Sequence, residues 1–117
     1  ITGRSKDVID RGGIKFSPRE IEELLMTYPG IRNAAVVGMP DPRLGERSCA
    51  FVVLDPGRAP VALPEVVDFL RAQGLATHKL PERLETVAEL PATITGKVQK
   101  FVLRQRIAAA LAEGAPA

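Results

Sequence analysis

The chain has 117 residues, which is enough for one domain and little more. Hydrophobic residues make up 45% of it and charged residues 26%, a composition typical of globular proteins and not of disordered ones. A formal net charge of +2 and the absence of Trp argue against nucleic-acid binding, which needs basic patches and stacking aromatic rings.

The sequence also limits the location and the chemistry of the protein. No window of about 18 apolar residues occurs and the N-terminus lacks the apolar core of a signal peptide, so we expect no membrane span and a cytoplasmic location. Cys49 is the single cysteine, which excludes an internal disulfide, and its apolar surroundings predict a small core thiol. His78 is the single histidine, so no His-based metal cluster or Ser-His-Asp relay can form within the chain, and no metal site is predicted.

The first predicted element is a β-hairpin. Residues 8–9 and 14–16 flank a turn at residues 10–13, in which Gly12 and Gly13 supply the turn geometry. Two consecutive glycines fit either an ordinary hairpin turn or a loop whose backbone N–H groups approach a ligand. Both interpretations stay open at this point.

A helix follows the hairpin. Ser17 at the N-cap, Pro18 at the first helical position and Glu20 three residues after the cap predict a capping box. We expect the helix to run to about Tyr28, because Pro29-Gly30 then ends it.

The rest of the chain predicts a small sheet with helices on it. Residues 31–39 and 48–54 are buried-strand candidates, and the turn-rich connection between them suits an antiparallel pair. A helix is expected from Pro64-Glu65 to Gly74, a further strand at about residues 83–87 and a last helix at about residues 100–112. The predicted fold class is α+β: a short N-terminal β-hairpin plus a small, about three-stranded sheet covered by about three helices.

The segment before the last helix places a positive charge at a loop tip. Residues 91–100 read Pro-Ala-Thr-Ile-Thr-Gly-Lys-Val-Gln-Lys, and Gly96 lets the backbone turn sharply so that Lys97 is presented outward. The segment is not a phosphate loop, because Pro91 stands at the first glycine position and Val98 replaces the required Ser or Thr. Taken alone, it fits either a solvated surface turn or a lysine that reaches a phosphate or carboxylate.

The acidic residues show no clear pairing in the sequence. They are scattered over turns and strand ends, which gives no support for a hydrolytic site built from two carboxylates; they are Asp41, Glu46, Glu82, Glu85 and Glu89. A functional prediction therefore has to come from a combination of segments.

Four separated segments are informative together. They are Gly3-Arg4-Ser5-Lys6-Asp7-Val8-Ile9, Arg11-Gly12-Gly13, Ser17-Pro18-Arg19-Glu20-Ile21-Glu22 and the segment from Pro91 to Lys100. In this order they closely resemble the C-terminal domain of adenylate-forming enzymes, and most closely that of acyl-CoA synthetases. The resemblance covers nearly the whole chain.

The resemblance implies an AMP-forming acid–thiol ligase that works in two steps. A carboxylic acid and ATP form acyl-AMP and pyrophosphate, and CoA then displaces AMP to give a thioester. Lys97 matches the lysine that stabilises negative charge in the first step, and Lys6 matches the hinge about which the domain rotates. Arg4 matches an arginine that contacts the nucleotide, and Arg11-Gly12-Gly13 match the loop that lines the pantetheine tunnel.

The resemblance also implies what the chain works with. The partner is an N-terminal adenylation domain of the same polypeptide, which would hold Mg²⁺; ATP or AMP and CoA are the other cofactors, and a small carboxylic acid is the substrate. Residues 1–7 would be a hinge segment, residues 8–112 the C-terminal domain and residues 113–117 a frayed tail. The chain has no initiator Met, so we expect an excised domain or fragment that is inactive alone. Lys79 is a candidate contact for the phosphates of CoA.

Two alternatives stay open. A ligase that loads a carrier-protein pantetheine would present the same thiol arm to Gly12 and Gly13 as CoA does, so these residues fit both acceptors. A noncatalytic module that binds a partner through its hairpin or basic surface is the second alternative. Such a module would need neither a lysine-bearing loop nor a hinge segment.

Overall fold

The structure is a computed structural model, and it describes residues 8–57, 61–92 and 98–112. The order of elements is β1 (Ile9–Arg11), β2 (Ile14–Phe16), α1 (Arg19–Leu25), β3 (Ile31–Asp41), β4 (Gly45–Leu54), α2 (Leu63–Ala72), a 3₁₀ turn (Thr77–Lys79), β5 (Arg83–Thr86) and α3 (Lys100–Ala112). This order confirms the predicted α+β class. None of the helices in the described part of the chain is long and apolar enough to cross a membrane.

All five described strands belong to one sheet. The strand order is β2-β1-β4-β3, and β5 pairs in parallel with β4. The predicted antiparallel pair of β3 and β4 is confirmed, with Val36 opposite Ala50. The predicted hairpin is also confirmed, and it joins the sheet through Arg11, which lies opposite Gly45. The hairpin and the central strands therefore form a continuous surface.

Helices cover both faces of this sheet, which explains why the central parts of β3 and β4 are apolar. Successive side chains of a strand point to opposite faces, so alternate residues enter two different cores. One core joins the sheet to α1 and α2; it includes Ile21, Leu25, Val66, Leu70, Ala34, Val36, Ala50 and Val52. The other joins the sheet to α3; it includes Leu103, Ile107, Ala35, Val37, Cys49, Phe51 and Val53.

The predicted burial of Cys49 is confirmed. The residue is fully shielded from solvent in the core under α3. Burial, with a smaller contribution from the negative charge of Glu85, raises the pKa of the Cys49 thiol to about 12. The thiol is therefore protonated at neutral pH, as expected for a packing residue and not for a nucleophile.

The first helix differs from its prediction at both ends. Pro18 occupies the N-cap position, and no side chain closes the predicted capping box; Glu20 instead forms an ion pair with Lys79, at 3.0 Å. The helix ends at Leu25 and not at Tyr28, because the chain continues as a turn to the glycine at position 30. With Pro18 at the N-cap, Glu20 is the second helical residue and not the third, so the capping-box spacing is not met.

Candidate functional site

The turn between β1 and β2 is a glycine pair with positive φ. Gly12 has φ +63° and Gly13 has φ +95°, values that residues with a Cβ rarely adopt. The Gly12 N–H donates to the Leu44 carbonyl at 2.8 Å, and the Gly13 N–H donates to Asp10 Oδ1 at 2.9 Å. Both N–H groups are therefore already bonded inside the domain, which favours the ordinary hairpin turn over a loop whose N–H groups approach a ligand.

What the turn offers instead is open space. A Cβ built on Gly13 would have no neighbouring atom within 4 Å, whereas one on Gly12 would lie 3.1 Å from Leu44 Cδ2. Both glycines are exposed, and the next side chain, Ile14, is 50% exposed. A slender group could thus approach the Cα of Gly13 closely, beside an apolar side chain.

Arg11 fixes this turn to the sheet through an ion-pair network. Its Nε lies 2.8 Å from Glu82 Oε2, next to the start of β5. The other oxygen of Glu82 lies 3.0 Å from Nε of Arg47 on β4, and Arg47 also lies 3.5 Å from Asp41. Three strands therefore meet at the carboxylate of Glu82. The sequence analysis did not predict this network, in which Asp41 and Glu82 pair with arginines.

The network shifts the pKa values of its members. Burial alone would raise the pKa of Glu82, but hydrogen bonds from Arg11 and Arg47 and their positive charges hold the pKa of this carboxyl below its usual value. For Asp41, the Leu44 N–H lowers the pKa; burial opposes this, and the Arg43 N–H and Arg47 add to it. The hydrogen bond to Glu82, and then its charge, raise the pKa of Arg11. All three groups are charged at neutral pH.

Replacing Glu82 with glutamine is expected to weaken the docking of the hairpin. Two guanidinium groups would lose their shared anion, which should lower the free energy of unfolding by about 1 to 2 kcal/mol at pH 7. Because the pKa of Glu82 is lowered by folding, its stabilisation is complete above the ordinary pKa and is lost as pH falls through the lowered one. Urea unfolding at pH 7 and about pH 3 should therefore show a smaller difference between the wild type and Glu82→Gln at the lower pH.

The matched control for this variant is Glu23→Gln. Glu23 pairs with Arg19 on the surface of α1, and the two side chains are 62% and 73% exposed. Such a pair contributes little, so this variant should unfold within about 0.5 kcal/mol of the wild type at both pH values. A loss for Glu82→Gln no larger than that of Glu23→Gln would show that the network does not hold the hairpin.

A second carboxylate, that of Glu46, accepts a hydrogen bond from the hairpin. Glu46 Oε1 accepts the Asp10 N–H at 2.9 Å. The side chain of Glu46 lies over Gly38, where a Cβ would come within 2.7 Å of the carboxylate. Gly38 is the signal that sequence reasoning could have used, since a lone glycine inside an apolar strand indicates close approach of another group.

The residues on either side of the lysine-bearing loop are bonded to each other. Ala92 and Val98 form an antiparallel β-bridge, and the Gln99 N–H donates to the Pro91 carbonyl at 2.9 Å. We call these four residues the neck. Lys97, Arg4 and Lys6 lie outside the described residues. The backbone can place Lys97 Cα no more than about 11 Å from Lys100 Cα, the first residue of α3.

The two candidate segments belong to opposite ends of the sheet. The hairpin strands β1 and β2 form one end of the strand order, and β3 forms the other. Lys100, which follows the neck, forms an ion pair with Glu22, and the same carboxylate accepts the N–H of Val36 on β3. The structure therefore brings Arg11, Gly12 and Gly13 together at one end and ties the neck to the other.

One candidate ligand contact from the sequence, Lys79, lies among the described residues. Lys79 pairs with Glu20, and 28% of its side chain is exposed. Its ammonium group is therefore partly neutralised. No group of three or more His, Cys, Asp or Glu side chains that could hold a metal ion occurs within residues 8–57, 61–92 and 98–112.

Comparison with known proteins places the chain in a family. Residues 20–97 match the family described as AMP-binding enzyme C-terminal domain. A medium-chain fatty-acid–CoA ligase of Escherichia coli (strain K12) is 50% identical over 107 residues, which cover 92% of this chain and 19% of that protein. A 2,3-dihydroxybenzoate-AMP ligase of Bacillus subtilis (strain 168) is 46% identical over 114 residues, 97% of this chain and 21% of that protein.

The fold gives the same result. The crystal structure of an acyl-CoA synthetase from Brucella canis matches with a TM-score of 0.84 and 38% identity, covering 93% of this chain and 20% of that one. The chain thus spans about a fifth of the length of the proteins it matches. The predicted family is confirmed: the chain belongs to the C-terminal domains of AMP-binding, adenylate-forming enzymes.

Proposed function

We propose that this chain is the mobile C-terminal domain of an AMP-forming acid–thiol ligase, with CoA as the thiol. The intact protein would convert a carboxylic acid and ATP to acyl-AMP and pyrophosphate, and then acyl-AMP and CoA to a thioester and AMP. A larger domain of the same polypeptide would hold ATP, Mg²⁺ and the acid. This chain would supply one group to each half-reaction.

One observation carries the proposal: the hairpin and the neck are fixed to opposite ends of one sheet. Because helices cover both faces of the sheet, the domain would turn as one body about a hinge at Lys6, which would bring one end toward the nucleotide while withdrawing the other. Two half-reactions at one cleft require such an exchange of groups. A rigid body with a functional segment at each end can provide it.

In the first half-reaction, Lys97 would face the nucleotide. A carboxylate oxygen of the acid attacks the α-phosphorus of ATP, and the bond from that phosphorus to the bridging oxygen breaks, releasing pyrophosphate. Negative charge on the phosphoryl oxygens is at its most concentrated during this step. The Lys97 ammonium would stabilise it, and Arg4 would contact the same nucleotide.

In the second half-reaction, the glycine turn would replace the lysine. The thiolate of CoA, formed when the thiol gives its proton to solvent, attacks the acyl carbonyl of acyl-AMP; the carbon–oxygen bond to AMP breaks, and AMP leaves with the electron pair. The pantetheine arm is long and narrow, and the open space above Gly13 suits it. Arg11 would act here by holding the turn, because its guanidinium is bonded to Glu82.

The acceptor can be identified by measuring AMP release. The full-length protein should show acid-dependent ATP–pyrophosphate exchange, and CoA should then accelerate AMP release and yield a thioester. A phosphopantetheinylated carrier protein, assayed in parallel, tests the carrier-loading alternative. The similarity to an AMP ligase is the reason to include it. Acceleration by the carrier and not by CoA would overturn the choice of CoA, and absence of exchange with every acid in a broad panel would favour a noncatalytic module.

A further inference from the structure

Glu22 contacts two elements that are far from it in the sequence. Its Oε2 atom accepts the N–H of Val36 at 2.8 Å and forms an ion pair with Nζ of Lys100. The side chains of Glu22 and Lys100 are only 15% and 16% exposed. The contact is therefore shielded from water, where an ion pair is stronger than on an open surface and loss of one partner costs more.

This contact lies at the edge of the sheet. Val36 lies on β3, the end strand of the sheet, and its N–H is directed to Glu22 and not to β4. Glu22 belongs to α1, which covers one face of the sheet, and Lys100 opens α3, which covers the other. The ion pair therefore crosses the edge of the sheet and joins its two helical layers beside β3.

This contact also lies next to the neck. Ala92 is bridged to Val98, Gln99 is bonded to Pro91, and Lys100 follows immediately. The neck is thus held on one side by its own hydrogen bonds and on the other by the ion pair. Since only two residues separate Lys97 from Lys100, a shift of Lys100 is transmitted to the loop over a short length of backbone.

The neighbouring acids of α1 do not share these features. Glu20 pairs with Lys79 and Glu23 pairs with Arg19, and 56% and 62% of their side chains are exposed. Among the described side-chain hydrogen bonds of the acids on α1, the bond that Glu22 accepts is the one whose donor lies on a strand. Glu22 is therefore the acid of this helix whose replacement should change the position of the neck.

We propose that Glu22 and Lys100 are a positioning pair for Lys97: they hold the neck so that the lysine enters the nucleotide cleft in register. The inference rests on the function proposed above. Neither residue is assigned a contact with substrate. The pair acts on adenylation alone, because the glycine turn that serves the second half-reaction is fixed separately by Glu82 and Glu46.

The test uses the full-length protein with Glu22→Gln and, independently, Lys100→Gln. In Glu22→Gln the amide oxygen can still accept the Val36 N–H, so the strand edge stays bonded while the ion pair is lost. We expect ATP–pyrophosphate exchange to fall on the order of ten- to a hundredfold, in kcat and not in KM for ATP. Thioester formation from supplied acyl-AMP should stay within about twofold of the wild type.

Two further variants serve as controls. Lys100→Arg keeps the charge and should retain most of the exchange activity, which a requirement for packing volume alone would not predict. Glu23→Gln removes an exposed acid one position away and should leave both half-reactions unchanged. Thermal melting of each variant shows whether a loss of activity follows a loss of fold.

The outcomes separate this inference from the function on which it rests. If Lys97→Ala lowers exchange selectively and Glu22→Gln does not, the proposed function stands and the positioning role is rejected. Equal losses in both half-reactions, in step with a lower melting temperature, would also reject it and leave the pair a structural contact. If Lys97→Ala leaves exchange intact, both proposals are rejected.

Discussion

Replacing Lys97 with alanine in the full-length protein is expected to lower acid-dependent ATP–pyrophosphate exchange by roughly 100- to 1000-fold, the range for removal of one positioned charge-stabilising group. The loss should lie in kcat, because a charge that matters most in the transition state contributes little to ground-state binding. Thioester formation from supplied acyl-AMP and CoA should continue at close to the wild-type rate, since the lysine would have left the cleft by then.

A matched control is Arg106→Ala. Arg106 is an exposed cation on α3, after the neck in the sequence, and no role in either half-reaction is assigned to it. Removing it changes the net charge of the domain by the same amount as Lys97→Ala does. If Arg106→Ala also lowered exchange, the overall charge of the domain would be responsible; equal loss of both half-reactions in Lys97→Ala would contradict the division of labour.

The structure explains why the sheet could be predicted from the sequence. The runs from Ala34 to Met39 and from Ser48 to Val53 are apolar because both faces are covered, and turn residues separate them. The bounds of α3 were predicted at Lys100 and Ala112, where the structure has them. Local composition is sufficient for such elements, since neighbouring residues decide where they start and stop.

The electrostatic contacts could not be predicted in the same way. Glu82 looked unpaired because its partners, Arg11 and Arg47, come from strands that only the folded sheet brings together. The pattern at Ser17 and Glu20 predicted a capping box, but the helix starts one residue later, with Pro18 at the N-cap, so Glu20 is not at the required third helical position. An ion pair between separate elements depends on strand order, and strand order is not encoded in any short stretch of sequence.

The candidate site was predicted by resemblance more than by chemistry. Gly12 and Gly13 alone fitted either a plain turn or a ligand-facing loop, and Lys97 alone fitted either a solvated surface turn or a lysine that reaches a phosphate or carboxylate. The structure adds a physical distinction at the hairpin, because its N–H groups are occupied and its Cα surface is open. The glycines are therefore interpreted as space for a neighbouring group and not as hydrogen-bond donors.

This interpretation predicts a large and selective effect for Gly13→Ala. The added methyl would meet no atom of this domain within 4 Å, so its cost to folding is the backbone strain at φ +95°, about 1 to 2 kcal/mol. In the thioester-forming orientation the methyl would stand where the pantetheine arm passes. Thioester formation from supplied acyl-AMP should fall on the order of tenfold or more, because displacing the thiol by about 1 Å is enough.

The control for strain is Gly74→Ala. Gly74 follows α2 with φ +89°, and a Cβ there would also have nothing within 4 Å, so the two substitutions carry nearly the same backbone cost. Of these two glycines, Gly13 is the one on the hairpin, so Gly13→Ala but not Gly74→Ala should slow the second half-reaction. Both variants should keep the rate of adenylation within about twofold of the wild type. Matching losses in the two variants would mean that strain and not obstruction is measured. A loss of exchange in Gly13→Ala would mean that the hairpin faces the nucleotide during adenylation, which a domain presenting its two ends in turn does not allow.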